Sequence, residues 1–229
     1  MNFEFILFQI SVWALPVLLA ITLHEAAHGW SAWRLGDDTA YRLGRVTFNP
    51  IRHIDPFGTV LLPVMLLFLS GGSMMFGFAK PVPVNFWRLR DPRRDMVLVA
   101  IAGPATNIAL AVIAAAGFHI VPMLDGAVQE WVARNLSAAI WINLILCIFN
   151  MLPIPPLDGG RVAVGLLPRS LAAPLARLER GGILIILGAL FLLPMIGNQI
   201  GVQLNVFWWL IGGPAQALSD FLLQLVGVA

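Results

Sequence analysis

Residues 5–28, FILFQISVWALPVLLAITLHEAAH, contain the two features that decide the fold of this chain. Residues 5–23 carry no charged side chain, and a run of this length is sufficient for a helix that enters a lipid bilayer. The motif at the end places His24 and His28 on one face of that helix, where both imidazoles can bind one metal ion. Glu25 stands next to the first histidine and can act on a water molecule at the metal.

The HExxH pattern is a specific signal in a chain of this composition. With 4 His and 4 Glu among 229 residues, the pattern arises by chance in about one such chain in a thousand. The alternative interpretation is that these polar residues only cap a buried helix.

Aromatic and basic residues directly after the motif mark the expected edge of the bilayer. Trp30 and Trp33 precede Arg34, and aromatic residues beside the first cation are typical of the headgroup boundary. At 1.5 Å per residue, His28 and His24 lie roughly 9 and 15 Å inside that boundary. Because ionisable groups are costly in hydrocarbon, we expect them to face an enclosed cavity that water can enter.

The composition indicates an integral membrane protein in contact with the lipid bilayer. Hydrophobic residues make up 59% of the chain and charged residues 11%, whereas a soluble domain carries about a quarter charged residues. The cations lie in loops between apolar segments, so we attribute them to membrane topology and predict no nucleic-acid partner.

Cys147 is the only cysteine, which excludes a disulfide within the chain. The N-terminus lacks a basic region and a cleavage site, so we interpret residues 5–33 as a retained span.

Further apolar segments predict an all-α polytopic membrane protein. Beyond the first span, helices are expected over residues 96–121, 136–152, 181–194 and from 202 onward, the last interrupted at Gly212-Gly213-Pro214. A short loop that contains Asp125, Glu130 and Arg134 is expected before residue 136.

Residues 58–78 are also apolar, but Pro63 and Gly71-Gly72 divide them into two short halves, so this segment either spans the bilayer or re-enters it. If it re-enters, the loops 34–56, 80–94 and 161–180 share one side and hold 13 of the 14 basic residues. The positive-inside rule then favours a re-entrant segment, with the metal motif near the cytoplasmic face. The predicted count is five transmembrane helices, or six if the segment crosses.

The sequence GFAKPVPVN, residues 77–85, is expected to be an edge strand or an extended loop. Pro81 and Pro83 each remove a backbone donor and hold the chain extended, which excludes a helix. The later sequence GPATN, residues 103–107, places small residues where helices can pack closely, and Asn107 is expected to form a hydrogen bond between helices.

Two histidines leave a zinc site incomplete, because a catalytic zinc typically has three protein ligands and one water. His53, in NPIRHIDPFGT, is a candidate third ligand, a substrate contact or an ordinary loop residue. Asp158, in NMLPIPPLDGGR, follows a helix that approaches the side of the motif, and three prolines let the chain turn back. On spacing alone, Asp158 is equally an ordinary Asp-Gly turn. His119 lies at the far end of its span and is excluded.

The chain resembles the site-2 protease family of intramembrane zinc metalloproteases, in the short form without a PDZ domain. The resemblance is carried by HEAAH, by GPATN, by NMLPIPPLDGG and by FGFAKPVPVN, and it covers about residues 20–165. It implies one Zn²⁺ per chain, held by His24, His28 and Asp158, with Glu25 as the catalytic base. It also implies that Asn150 lies near the substrate.

The resemblance further implies a single membrane protease domain over residues 1–229, with a catalytic core at about 5–165 and C-terminal helices at 181–229. Its expected substrates are membrane proteins, cleaved in or near transmembrane segments, and a regulatory membrane partner is compatible with the family. The expected location is a bacterial or archaeal inner membrane, with the active site toward the cytoplasm. The extended residues Pro81, Val82, Pro83 and Val84 are candidates to bind an unwound substrate by strand addition, with His53 and Asn150 nearby.

Non-catalytic functions are the alternatives. A metal-ion carrier can use the same three ligands, but it has no need of Glu25 beside them, and no inverted repeat is visible in the sequence. An inactive homologue that acts as a membrane chaperone is the other alternative, and the intact HExxH and LDG motifs argue against it.

Overall fold

The computed structural model describes residues 3–69 and 77–228. Within these ranges the regular structure is entirely helical, as predicted. The α-helices are α1 (Phe3–Arg34), α2 (Thr39–Arg42), α3 (Leu62–Leu69), α4 (Pro92–Gly117), α5 (Gly126–Asn150), α6 (Asp158–Leu166), α7 (Arg169–Arg177), α8 (Gly182–Leu187), α9 (Leu193–Gln199) and α10 (Gly213–Leu225). Shorter 3₁₀ and π turns extend or join several of them.

Four described helical stretches are long and apolar enough to cross a bilayer. They cover Leu7–Arg34, Pro92–Met123, Gly126–Asn150 and Gly182–Gln199. The polytopic membrane class is therefore confirmed, whereas the count of five or six spans remains a prediction. Of the segment predicted to re-enter, residues 70–76 lie outside the described residues, and the part before them forms the eight-residue helix α3.

Helix α1 carries the metal motif in the same helix as the apolar run. It is 32 residues long and continues through Pro16 to Arg34. The motif therefore extends the first span, as the sequence predicts, and it inherits the direction and depth of that span.

Three helices, α1, α4 and α5, pack against one another and form the centre of the fold. The Trp131 indole at the start of α5 donates to the Ser11 hydroxyl near the start of α1, at 3.0 Å. Further along, Ala20 of α1 and Asn143 of α5 both bind the Asn107 side chain. Helices α1 and α5 therefore run in the same direction. Helix α4 runs antiparallel to both and packs against each of them.

Alanines allow α4 and α5 to approach closely in the main hydrophobic core. Ala111, Ala114 and Ala115 of α4 are buried against Ile140 and Leu144 of α5. Small side chains let helix backbones approach and pack in a membrane, where burial from water supplies little driving force. Helix α10 completes this cluster through two buried side chains, so the C-terminal part of the chain packs on the core.

The predicted loop before residue 136 was wrong. Helix α5 begins at Gly126 and already includes Glu130 and Arg134. These two side chains form an ion pair at 2.7 Å, four residues apart on the helix surface. Opposite charges at this spacing stabilise a helix, so the polar residues extend α5 by more than two turns.

The sequence predicted an interruption at Gly212-Gly213-Pro214, but the structure has only a wider helical turn there. Residues 206–225 are helical without a gap, and a π turn over Trp208–Gly212 precedes Pro214. The wider π turn lies just before Pro214, which has no backbone N–H to donate to the helix.

Candidate metal centre

The two histidines of the motif face each other on α1. Their rings are 4.6 Å apart between centroids and almost perpendicular. The Nε2 atom of His24 lies 3.1 Å from the Nε2 atom of His28, and both side chains are buried. Four-residue spacing on a straight helix produces this arrangement directly, because both side chains project from the same face.

Asp158 joins the two imidazoles from the start of α6. Its Oδ2 atom lies 3.3 Å from the Nε2 atom of His24 and 3.3 Å from that of His28. The turn that leads into α6 is compact, because a Cβ atom at Gly159 would lie 2.1 Å from the carbonyl oxygen of Met151. Only glycine fits at this position, next to Asp158. The Asp-Gly pair is therefore the start of a helix, not an isolated turn, and it places a candidate ligand atom beside the imidazoles.

A hydrogen bond to the outer nitrogen of each ring fixes its protonation. The Nδ1 atom of His24 donates to the Asn107 side-chain oxygen at 2.6 Å, and that of His28 donates to the Val99 carbonyl at 2.7 Å. Both partners are acceptors, so each Nδ1 carries the proton and each Nε2 presents a lone pair. Such outer partners are typical of histidines that bind metals.

Asn107 is held by further hydrogen bonds, which fix the orientation of its amide. Its Nδ2 atom donates to the Ala20 carbonyl of α1 at 3.3 Å and to the Asn143 side-chain oxygen of α5 at 2.8 Å. The predicted hydrogen bond between helices is therefore present. Sequence reasoning missed the second role of Asn107, which is to orient His24, and it missed Asn143 entirely.

The three inner atoms fit a metal cation. The Asp158 carboxylate is buried against both imidazoles. Its Oδ2 atom is buried with no hydrogen-bond partner among the described residues, and it faces the Nε2 lone pairs of both imidazoles. Three electron-rich atoms this close repel one another unless a cation lies between them.

The spacing of these atoms also matches zinc. Ligand atoms about 2.0–2.2 Å from a tetrahedral ion lie about 3.3–3.6 Å apart, close to the 3.1 and 3.3 Å separations seen here. In the described part of the chain, His24, His28 and Asp158 form the group of three ligand residues that can hold an ion. A donor set of two imidazoles and one carboxylate is typical of catalytic zinc.

Gly103 lets α4 pass directly over the imidazoles. A Cβ atom there would lie 2.4 Å from His28 Nε2 and 2.6 Å from His24 Cε1. The sequence predicted small residues here because helices pack closely. The structure shows that the neighbours of Gly103 are the two ring edges, so any larger residue would occupy the space of the two imidazoles.

Glu25 lies beside the cluster and contacts the extended segment. It is half-buried on α1, and its Oε2 atom accepts the backbone N–H of Val82 at 2.7 Å. This contact links the motif to residues 77–85, which are not helical, as predicted, and which form the extended loop and not the edge strand.

Side chains far apart in sequence anchor both ends of this extended segment. At one end, Lys80 donates its N–H to the His53 carbonyl at 2.9 Å and accepts from the Arg45 guanidinium at 2.7 Å. At the other end, the Asn85 N–H donates to the buried Asp37 carboxylate at 2.6 Å. Sequence reasoning did not identify Asp37 or Arg45 as anchors.

The side chains of three other histidine and asparagine residues form hydrogen bonds to backbone carbonyls. The His53 side chain is buried in its loop, and its Nε2 atom contacts the Thr47 carbonyl at 3.1 Å. Asn150, at the end of α5, donates to the Leu146 carbonyl at 3.0 Å. His119 contacts the Val226 carbonyl, far from the motif, which agrees with its exclusion.

Comparisons with known proteins agree with this geometry. A model of the family described as peptidase family M50 matches residues 12–195. "Putative zinc metalloprotease YwhC" of Bacillus subtilis is 39% identical over 198 residues, which are 83% of this chain and 84% of the relative. "Putative zinc metalloprotease Rip2" of Mycobacterium tuberculosis is 31% identical over 193 residues, which are 84% of this chain and 70% of the relative.

An archaeal relative, "Putative zinc metalloprotease MJ0611" of Methanocaldococcus jannaschii, is 29% identical over 163 residues, covering 70% of this chain and 72% of the relative. No solved structure matches the chain. The family match covers the first helix from residue 12 onward, the HExxH motif and Asp158. The chain therefore belongs to peptidase family M50, the site-2 protease family, and is an intramembrane zinc metalloprotease.

Proposed function

We propose that His24, His28 and Asp158 hold the catalytic zinc and that Glu25 is the general base for hydrolysis of peptide bonds in transmembrane segments. The observation that carries this proposal is the convergence of three buried ligand atoms within 3.3 Å of one another, with the outer nitrogen of each imidazole already bound. No observation favours the alternative of a metal-ion carrier.

Each residue has a defined chemical task in this proposal. When bound, the zinc ion lowers the pKa of a water molecule and polarises the scissile carbonyl. Glu25 accepts a proton from the attacking water and transfers it to the leaving amine. Asn150 is proposed to donate to the oxyanion the second hydrogen of its amide, since the first binds the Leu146 carbonyl.

The proposed substrate is a transmembrane segment that has been locally unwound, because an intact helix hides its carbonyls in internal hydrogen bonds. Residues Pro81–Val84 are proposed to bind this segment by strand addition. In an extended chain, the N–H and C=O groups of residues 82 and 84 share one edge. Because the Val82 N–H reaches Glu25, that edge faces the metal centre.

We also propose that the metal centre lies toward the cytoplasmic face of an inner membrane. The end of α1, the start of α4 and the end of α6 lie on one side of the fold, where the Arg93 guanidinium donates to the Gly165 carbonyl at 2.8 Å. The sequence places 13 of 14 basic residues in the loops of that side, and cytoplasmic loops are enriched in arginine and lysine.

Replacing Glu25 is expected to separate metal binding from catalysis. In Glu25→Gln the side chain keeps its size but cannot accept a proton, so cleavage should fall by at least about a hundredfold. Elemental analysis should still find about one zinc per chain, whereas His24→Ala should lose it. The assay is cleavage of single-span substrates in detergent, with a chelator-treated control. Cleavage by Glu25→Gln within a few-fold of the parent would disprove the general-base role.

Asp158→Asn and His53→Ala form a matched test of the third ligand. Asp158→Asn retains the volume but loses the charge, so zinc should be removed by a mild chelator at a much lower concentration than in the parent. His53→Ala should keep its zinc, because its ring lies in a separate loop. Zinc content after dialysis is the measurement. The opposite result, retention in Asp158→Asn and loss in His53→Ala, would transfer the ligand role to His53.

Val84→Pro is expected to impair substrate binding without loss of metal. Proline keeps the segment extended and removes the one N–H that strand addition needs at this position. We expect KM for a transmembrane substrate to rise about tenfold, the loss of one intermolecular hydrogen bond, with unchanged zinc content. Val84→Ala, which retains the N–H, is the control. Equal KM values for the two variants would refute strand addition at residue 84.

Cysteine labelling is expected to place three loops on the cytoplasmic side. Single cysteines at Arg42, Arg90 and Arg169, in a Cys147→Ser background, should react with an impermeant reagent only when it is supplied from the cytoplasm. The physical reason is the one-sided distribution of cations. A cysteine at Arg134 is the opposite-side control. Labelling of position 90 from outside would show that residues 58–78 cross the bilayer.

A further inference from the structure

A cavity opens on the other side of the extended segment from Glu25. Its volume is about 450 Å³, and the two prolines of the segment form one wall. The remaining lining consists of three cations and three apolar side chains: Arg45, Arg52 and Lys80, with Leu43, Ile51 and Ile54. The proposed catalytic chemistry uses none of these six side chains.

Arg45 is the unusual member of this group. The residue is only 7% exposed, and its Nε atom is buried with no hydrogen-bond partner among the described residues. Within that part of the chain, its guanidinium donates to a neutral acceptor, the Lys80 carbonyl. No carboxylate in the described part of the chain forms an ion pair with Arg45, Arg52 or Lys80.

Neighbouring cations show how the fold normally compensates such charges. Asp38 pairs with Arg42 at 2.5 Å and with Arg88 at 2.9 Å, and both arginines are exposed. The more costly position is that of Arg45, because a buried charge without a counter-charge carries a large desolvation penalty. An anion in the cavity would remove this penalty.

The surroundings of the cavity place it at the level of lipid headgroups. Trp33, in the last turn of α1, stacks on Tyr41 with ring centroids 4.5 Å apart. The loop that follows exposes Phe48 and Ile51 by 77% and 73%. Exposed aromatic and aliphatic side chains interleaved with arginines are typical of a surface that lies in the membrane interface.

We propose that this cavity binds an anionic phospholipid, with the phosphate on Arg45, Arg52 and Lys80 and the acyl chains over Leu43 and Ile51. A phospholipid supplies both a negative charge for the cations and hydrocarbon for the exposed apolar residues. Through the bond from Arg45 to the Lys80 carbonyl, the bound lipid steadies the start of the segment that contacts Glu25. The proposal does not depend on which residues perform the chemistry.

The test uses the full chain in a neutral detergent, titrated with short-chain phosphatidylglycerol and, separately, with phosphatidylcholine of the same chain length. Native mass spectrometry and the shift in Tm measure binding. We expect at least about tenfold tighter binding of phosphatidylglycerol, since charge-assisted hydrogen bonds are lost with phosphatidylcholine, whose phosphate is paired with its own cation. Equal binding of the two lipids would overturn the proposal.

Variants assign the binding to this cavity. Arg45→Gln and Arg52→Gln should each weaken phosphatidylglycerol binding by about tenfold, the loss of one charge-assisted contact. Arg169→Gln removes an exposed cation on α7 and should change affinity by less than about twofold. Arg52 is exposed, so its variant tests the proposal even if Arg45→Gln fails to fold. Parent-like affinity in Arg52→Gln would overturn it.

Two further arms identify the source of the negative charge. Inorganic phosphate should raise the Tm much less than phosphatidylglycerol at equal concentration, and an equal effect would show that acyl chains contribute nothing. An acidic peptide should not displace the lipid at millimolar concentration. Displacement by the peptide would assign the cavity to a protein ligand and overturn the lipid proposal.

Discussion

The hydrogen bond from His24 Nδ1 to Asn107 is the interaction on which the metal centre depends most. It holds the ring so that Nε2 presents a lone pair to the interior of the helix bundle. The same amide binds α1 through Ala20 and α5 through Asn143, so one buried side chain ties together the three central helices. In a low-dielectric environment, an amide with all these partners is stabilising, and one without them is costly.

Close approach of the backbones is the second requirement. Gly103 brings α4 onto the imidazole edges, and Gly159 allows the chain to fold back so that Asp158 starts α6 beside them. The alanines at the interface of α4 and α5 serve the same purpose further along the bundle. Packing of small residues, more than burial from water, stabilises helices within a membrane. The precision of the site therefore follows from the same feature that stabilises the fold.

The extended segment connects the metal centre with the membrane interface. On one side, its Val82 N–H donates to Glu25. On the other side, its two prolines form a wall of the cavity that contains Arg45, Arg52 and Lys80. Asp37 and Arg45 anchor its two ends through side-chain hydrogen bonds to backbone atoms of the segment. These bonds replace the backbone ladder of a sheet, which a segment with two prolines cannot form. A segment fixed at both ends by buried charged groups presents a defined edge beside the site.

Local sequence determined the parts of this protein that depend on short-range geometry. The uncharged run and HExxH specify a membrane helix with two imidazoles on one face, and the prolines specify the extended segment, because periodicity and φ restrictions act within a few residues. The family resemblance implied that Asp158 meets the histidines, which spacing left open, and the tertiary structure shows the contact. The tertiary structure alone decided that Asn107 orients His24 and that Arg45 is buried without a carboxylate partner among the described residues. The loop predicted around Glu130 was wrong, because the ion pair between Glu130 and Arg134, four residues apart, stabilises a helix in this polar stretch. The contact between His24 and Asn107 joins residues 83 positions apart. It depends on how whole helices pack, which local patterns do not encode.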